Sequence, residues 1–149
     1  MSFVPEGWQA SSTELAGKTL LVTGANRGIG EAVALSCAQH GAEMLLLGRD
    51  EAALAQVYDQ IVDLECPTPG IIPLDLTTRD PSLYTALADE LSGANVVLDG
   101  LVHNASVLGE RRALSQTSPA SWDEVLQVNL TAVFLLTRAL MPLLEAAAA

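Results

Sequence analysis

Basic residues are scarce in this chain: seven Lys and Arg stand against 18 Asp and Glu, a formal net charge of −11 over 149 residues. Lys18 is the single lysine. Such a surface disfavours polyanionic partners, so neither nucleic acid nor an anionic membrane is expected. Solubility is the plainer use of the charge. Cysteine is nearly absent. Cys37 and Cys66 stand apart, with no disulfide framework, redox pair or metal site around them, which points to a reduced, cytoplasmic setting. The opening residues lack the basic start and apolar run of a secretory signal. A long uninterrupted apolar run is missing too: the nearest, residues 125–144, is broken by Gln127, Asn129, Thr131, Thr137, Arg138 and Pro142. Aromatic residues make up 4% of a chain that is 50% hydrophobic, which suits an α/β core of Ala, Leu and Val. The length suits about one domain.

What is present centres on Thr23-Gly24-Ala25-Asn26-Arg27-Gly28-Ile29-Gly30. An apolar strand-forming run, 19–23, leads into it, and good helix material, 28–40, leads out to Gly41. Glycines between a buried strand and a helix start read as a phosphate-binding turn. Gly24 can adopt the angles of a tight turn. Gly28 leaves the backbone open to a pyrophosphate, and Gly30 lets the helix lie close to the strand. The free N–H groups of the helix start and the positive end of its dipole then favour an anion. The plain alternative is a glycine turn without a ligand.

The rest alternates in kind. Residues 1–16 read as an irregular arm, with Trp8 anchoring it. A second strand spans 43–47. Asp50 caps a helix over 51–64 with Leu54, Val57, Ile61 and Leu64 at helical spacing. Pro67-Thr68-Pro69-Gly70 is a breaker. A short third strand, 71–74, carries Pro73, which suits a sheet edge. Asp80-Pro81 opens a helix to about Ser92. A fourth strand lies in the second half of 96–103. Thr117-Ser118-Pro119 opens a last helix that runs to the end, with a kink expected near Pro142. Alternating strands and helices predict a Rossmann-like, doubly wound parallel α/β sheet, with partial strand order 3-2-1-4.

Several polar residues stand where chemistry is done. Arg49 falls about 20 positions beyond Gly30, the distance at which a dinucleotide site reads the ribose. An arginine there pairs with the 2′-phosphate of NADP; an acidic residue would select NAD. Arg27 reinforces this reading, while Asp50 serves better as a cap. The alternative for Arg49 is a solvated turn residue. Asn104, after the fourth strand, can tie the strand end to its neighbours. For His103 a structural role is the safer assignment. Asn129, an amide in an apolar helical run, needs partners if it is buried.

The T-G-x-x-x-G-I-G spacing resembles the signature of the short-chain dehydrogenase/reductase family. His103-Asn104-Ala105-Ser106 is similar to its N-N-A-G, with Ser106 adding a side chain where the family has none. Within the family, the Leu-Leu-Gly-Arg turn and the Leu-Val-His-Asn-Ala stretch look most like the bacterial YciK-type oxidoreductases. The resemblance spans about 17–144. It implies a cofactor site of Gly24, Asn26, Arg27, Gly28, Ile29, Gly30, Arg49, Asp75, Leu76, Asn104 and Ala105. In it Asp75 accepts from the adenine amino group and Asn104 lines the nicotinamide side; a turn aspartate is the alternative for Asp75. Asn129 corresponds to the asparagine of the catalytic tetrad. The cofactor implied is NADP, with NAD possible, and the substrate a small carbonyl or alcohol. A homo-oligomer, dimer or tetramer, is implied as well.

The family's acid/base tyrosine with a lysine four positions on does not occur here. Tyr58 and Tyr84 are followed at that distance by Val62 and Ala88. The expectation is therefore a dinucleotide-binding half-domain over 17–149, with the catalytic Tyr/Lys half absent. A non-catalytic module for sensing or scaffolding, or an orphaned fragment, are the alternatives. In the complete fold a fifth strand should lie beside the fourth. Without it, Leu126, Leu130, Val133, Phe134 and Leu140 should present an uncovered helix face, and the chain should self-associate or come from a longer one whose remainder supplies the strand.

Overall fold

The structure, a computed structural model, describes residues 10–147. Four parallel strands, β1 (Thr19–Thr23), β2 (Glu43–Gly48), β3 (Gly70–Pro73) and β4 (Gly100–Val102), form one sheet in the order β3-β2-β1-β4. The order is the expected one. Leu21 lies opposite Leu45 on one side and Leu101 on the other. Pro73, on the edge strand β3, aligns with Gly48.

Alternation along the two central strands explains the double winding. Leu21, Leu45 and Leu47 point to one face and Val22, Met44 and Leu46 to the other, all buried. A strand that is apolar on both sides must be covered on both sides. Helices α1 (Gly28–Gln39) and α2 (Glu51–Asp63) cover the second face with Ala34, Ala38, Leu54, Val57 and Ile61. Helix α3 (Pro81–Gly93) and the C-terminal helix cover the first, with Tyr84, Leu87, Leu91, Leu136, Leu140 and Leu143.

Helix starts follow the capping chemistry of the sequence. Asp50 accepts from the Ala53 N–H at 3.1 Å, Asp80 from Ser82 at 2.9 Å and Ser118 from Ser121 at 3.1 Å. Pro81 and Pro119 occupy first turns, where no donor is missed. The bonds to Ser82 hold the Asp80 carboxyl below its ordinary pKa. At the opposite end of the sheet from the glycine turn, Asp99 accepts from Lys18 Nζ at 2.8 Å and from the Thr19 N–H at 2.9 Å. Those partners hold its carboxyl below the ordinary range.

The last helix departs from expectation. It consists of α4 (Pro119–Leu126), a π turn (Gln127–Thr131) and α5 (Ala132–Ala147). The Ala132 N–H reaches back five residues to the Gln127 carbonyl, which marks the π geometry. Helix α5 runs on through Pro142 without ending there. By length and mean hydropathy, 1.5, the stretch Pro119–Ala147 would suffice to cross a membrane. Here Leu136, Leu140 and Leu143 are committed to the core. Leu126, Leu130 (64% exposed) and Phe134 (59%) are exposed as expected, joined by Trp122 (55%), whereas Leu140 is fully buried, contrary to its expected place on an open face. Within the described part of the N-terminal arm, the Leu15 N–H bonds the His40 carbonyl at 2.9 Å. Trp8 lies outside the described residues.

Candidate functional site

An open cleft of about 670 Å³ lies along the C-terminal ends of the strands. Gly24, Asn26, Arg27, Gly28 and Ile29 line it from the turn after β1, and Arg49 and Asp50 from the turn after β2. Asp75 and Leu76 line it after β3, and Asn104, Ala105 and Val107 after β4. Gly30 and Asn129, also named from the sequence, do not line it.

The glycines have distinct geometries. Gly24 (φ +66°) and Gly28 (φ +60°) occupy the left-handed region. A Cβ on Gly28 would meet nothing within 4 Å, so this glycine opens onto free space. A Cβ on Gly30 would lie 2.2 Å from the Gly24 carbonyl oxygen and 2.5 Å from Asn104 Nδ2. Gly30 thus sits behind the turn and allows α1 to approach it. The residue at the start of α1, Arg27, makes no side-chain cap bond. The first N–H groups of the helix therefore stay available to an anion from outside.

Arg27 and Arg49 are the two cations on the cleft, and both are exposed. Among the described residues neither forms an ion pair within 4 Å; the pairs found are Lys18–Asp99, Arg79–Asp123 and Arg112–Glu110. Asp50 is engaged as a cap, as expected. Asp75 lies beyond the end of β3 rather than at it, because β3 closes at Pro73; its carboxylate accepts from the Thr77 N–H at 2.9 Å. It is both a turn aspartate and a cleft residue.

Asn104 ties the strand ends together, as its position suggests. Its Nδ2 donates to the Thr23 carbonyl at 3.0 Å and the Gly24 carbonyl at 3.2 Å. Thr23 Oγ1 accepts from the backbone N–H of Asn104 and of Ala105, each at 3.0 Å. His103 faces away from the cleft toward α5. Thr137 donates to the Val133 carbonyl at 2.7 Å, so its oxygen accepts from His103 Nε2–H at 2.8 Å. The histidine is structural, yet exposed rather than buried in the strand end; partial desolvation still pushes its pKa down.

Asn129 is exposed, although its neighbours in the chain are apolar. Its Oδ1 accepts from the Val107 N–H and its Nδ2 donates to the Val107 carbonyl, both at 2.9 Å. The buried amide is Gln127, 4% exposed and two positions earlier. Its Nε2 donates to the carbonyls of Thr78 (2.6 Å) and Leu76 (3.4 Å). The rule that an amide in an apolar run needs partners applies to Gln127, which stands in the same run as Asn129. Tyr84 also donates to Thr78, at 3.3 Å, and burial pushes its phenol pKa up. Tyr84 is thus enclosed in the core, away from the cleft.

A parallel sheet in the order β3-β2-β1-β4, with a glycine turn starting a helix after β1 and a cleft at the strand ends, defines a Rossmann-like α/β protein. Residues 18–149 match the family model for short chain dehydrogenase, and the chain belongs to that family. It is 39% identical over 137 residues to YciK of Escherichia coli K12, an uncharacterized oxidoreductase, covering 92% of this chain and 54% of YciK. A short chain dehydrogenase structure from Pseudomonas syringae aligns with a TM-score of 0.89 and 46% identity, over 93% of this chain and 56% of that one. A short chain dehydrogenase structure from E. coli CFT073, complexed with NADPH, aligns with a TM-score of 0.86 and 39% identity, over 89% and 55%. The chain thus spans about half the length of these relatives.

Proposed function

We propose that residues 17–149 form the cofactor-binding half-domain of an NADP-dependent oxidoreductase, preceded by an arm over 1–16. The whole protein transfers a hydride between nicotinamide and a small carbonyl or alcohol substrate. The observation that carries this reading is the pair of arginines, Arg27 and Arg49, without ion-pair partners among the described residues, on a cleft that also holds the glycine turn.

The residues fit the group. Gly28 opens onto space that a pyrophosphate would fill, and the uncapped start of α1 donates N–H groups toward it. Arg49, with Arg27, balances a 2′-phosphate through charge-assisted hydrogen bonds. Asp75 and Leu76 take the adenine side, and Asn104 and Ala105 the nicotinamide side. Asn129 belongs to the proton-handling group of the whole enzyme; in this chain it fixes the backbone of Val107. When bound, the nicotinamide supplies the hydride acceptor or donor. That the E. coli CFT073 relative was crystallised with NADPH supports the choice of cofactor. The reading sets the protein in the cytoplasm as a homo-oligomer.

Titration of the chain with NADPH and NADH, read by nicotinamide fluorescence, tests it. NADPH should bind at least about tenfold tighter, the worth of one charge-assisted bond. Equal affinities would overturn the NADP assignment, and no binding of either would overturn the site.

A further inference from the structure

Gln127 has no place in the cofactor site as described, yet it is buried and its Nε2 donates twice. It donates to Thr78 and Leu76, and Tyr84 adds a second donor to Thr78. The carbonyls so held belong to the loop that carries Asp75, Leu76 and Thr77 on the cleft. Two residues later, Asn129 holds Val107 on the loop after β4. Val128, between them, lines the cleft itself. Three consecutive residues of the π turn therefore reach the loop after β3, the cleft and the loop after β4.

Resting on the reading of the cleft as an NADP site, we propose that the π turn sets the spacing of these two loops. Gln127 is then a positioning residue for the adenosine end of the dinucleotide. By pinning the Leu76 and Thr78 carbonyls from below, it holds Asp75 and the Leu76 backbone where a purine would meet them. The wider π turn supplies the reach: the Gln127 carbonyl takes the Ala132 N–H, one residue beyond α-helical spacing. A glutamine that only filled the core would affect stability alone.

The experiment compares Gln127→Leu, which keeps the volume and removes the donor, with Leu140→Val, which weakens the same core away from the loop. Affinity for adenosine 2′,5′-bisphosphate is measured by calorimetry and stability by urea denaturation. Gln127→Leu should weaken the bisphosphate about tenfold, with a smaller loss in Tyr84→Phe. Leu140→Val should lose stability and keep its affinity. Unchanged affinity in a folded Gln127→Leu, or an equal loss in Leu140→Val, would overturn the positioning role. If the unsubstituted chain binds neither the bisphosphate nor NADPH, the NADP site fails, and this proposal with it.

Discussion

Thr23 and Asn104 hold each other in both directions. The threonine oxygen accepts the N–H of Asn104 and of Ala105, and the asparagine amide donates to the Thr23 carbonyl and on to Gly24. Thr23 is buried, and its hydroxyl donates in turn to Val102 at 3.4 Å. The end of β4 is thus registered against the glycine turn by side chains, beyond where the ladder stops. Thr23→Val should cost about 2 kcal/mol, because it strips the acceptor from two backbone donors. Urea denaturation measures the loss, and cofactor affinity should fall with it.

Arg49→Ala should remove most of the preference for NADPH, a loss of about tenfold or more in NADPH affinity, while NADH affinity stays level. Fluorescence titration of both cofactors checks it. Equal losses for the two would show that Arg49 does not read the 2′-phosphate.

The two later glycines of the turn should fail differently. Gly30→Ala drives a Cβ into the Gly24 carbonyl and should destabilise the fold, seen as a lower urea midpoint. Gly28→Val adds bulk where nothing lies within 4 Å, at a φ of +60°. It should keep the circular dichroism of the fold, less about 1–3 kcal/mol of backbone strain, and lose cofactor binding.

Asp99 should make stability sensitive to acid. Its folded-state pKa is depressed by Lys18 and the Thr19 N–H, so the contribution is present above the unfolded carboxylate pKa of about 4 and lost as pH falls through the folded value. Lys18 is half exposed, so the pair itself is worth about 1 kcal/mol or less. Asp99→Ala should lower stability at pH 7, with a shrinking difference from the unsubstituted protein toward pH 3. Urea midpoints across that range measure it.

The chain of residues 1–149 should self-associate. Trp122, Leu126, Leu130, Phe134 and Met141 leave large apolar surface exposed along one side of the last helix, and β4 is an edge strand. Light scattering should report a mass above the monomer, and the double substitution Leu130→Glu and Phe134→Glu should bring it down. A monodisperse monomer before substitution would refute this.

Much of this was legible in the chain because it rests on local chemistry. Asp50, Asp80 and Ser118 announce helix starts by their own hydrogen-bonding groups, and Gly24 and Gly28 announce a turn by the angles they alone take freely. The facing strands Leu21–Thr23 and Leu45–Leu47 are apolar enough to demand cover on both sides. The convergence of Arg27 and Arg49 on one cleft followed from the spacing of strand, turn and helix. What local chemistry does not encode is a partner far along the chain. The π turn exists beside carbonyls of Leu76 and Thr78, some fifty positions away from Gln127, and helical periodicity carries no trace of them. Asn129 and Gln127 look alike in sequence; only the placement of the two loops decides which amide is buried.

The Lys18–Asp99 contact lies at the other end of the strands from every residue that faces the cleft. This ionic latch and the cleft therefore occupy separate rims of one sheet. A lineage could exchange Arg49 for an acid, and so its nucleotide, without disturbing the latch, and could tune the latch to a hotter or more acidic habitat without altering what it binds. Asn104 differs, since it lines the cleft and also ties β4 to the glycine turn, so a change there would reach both the fold and the site.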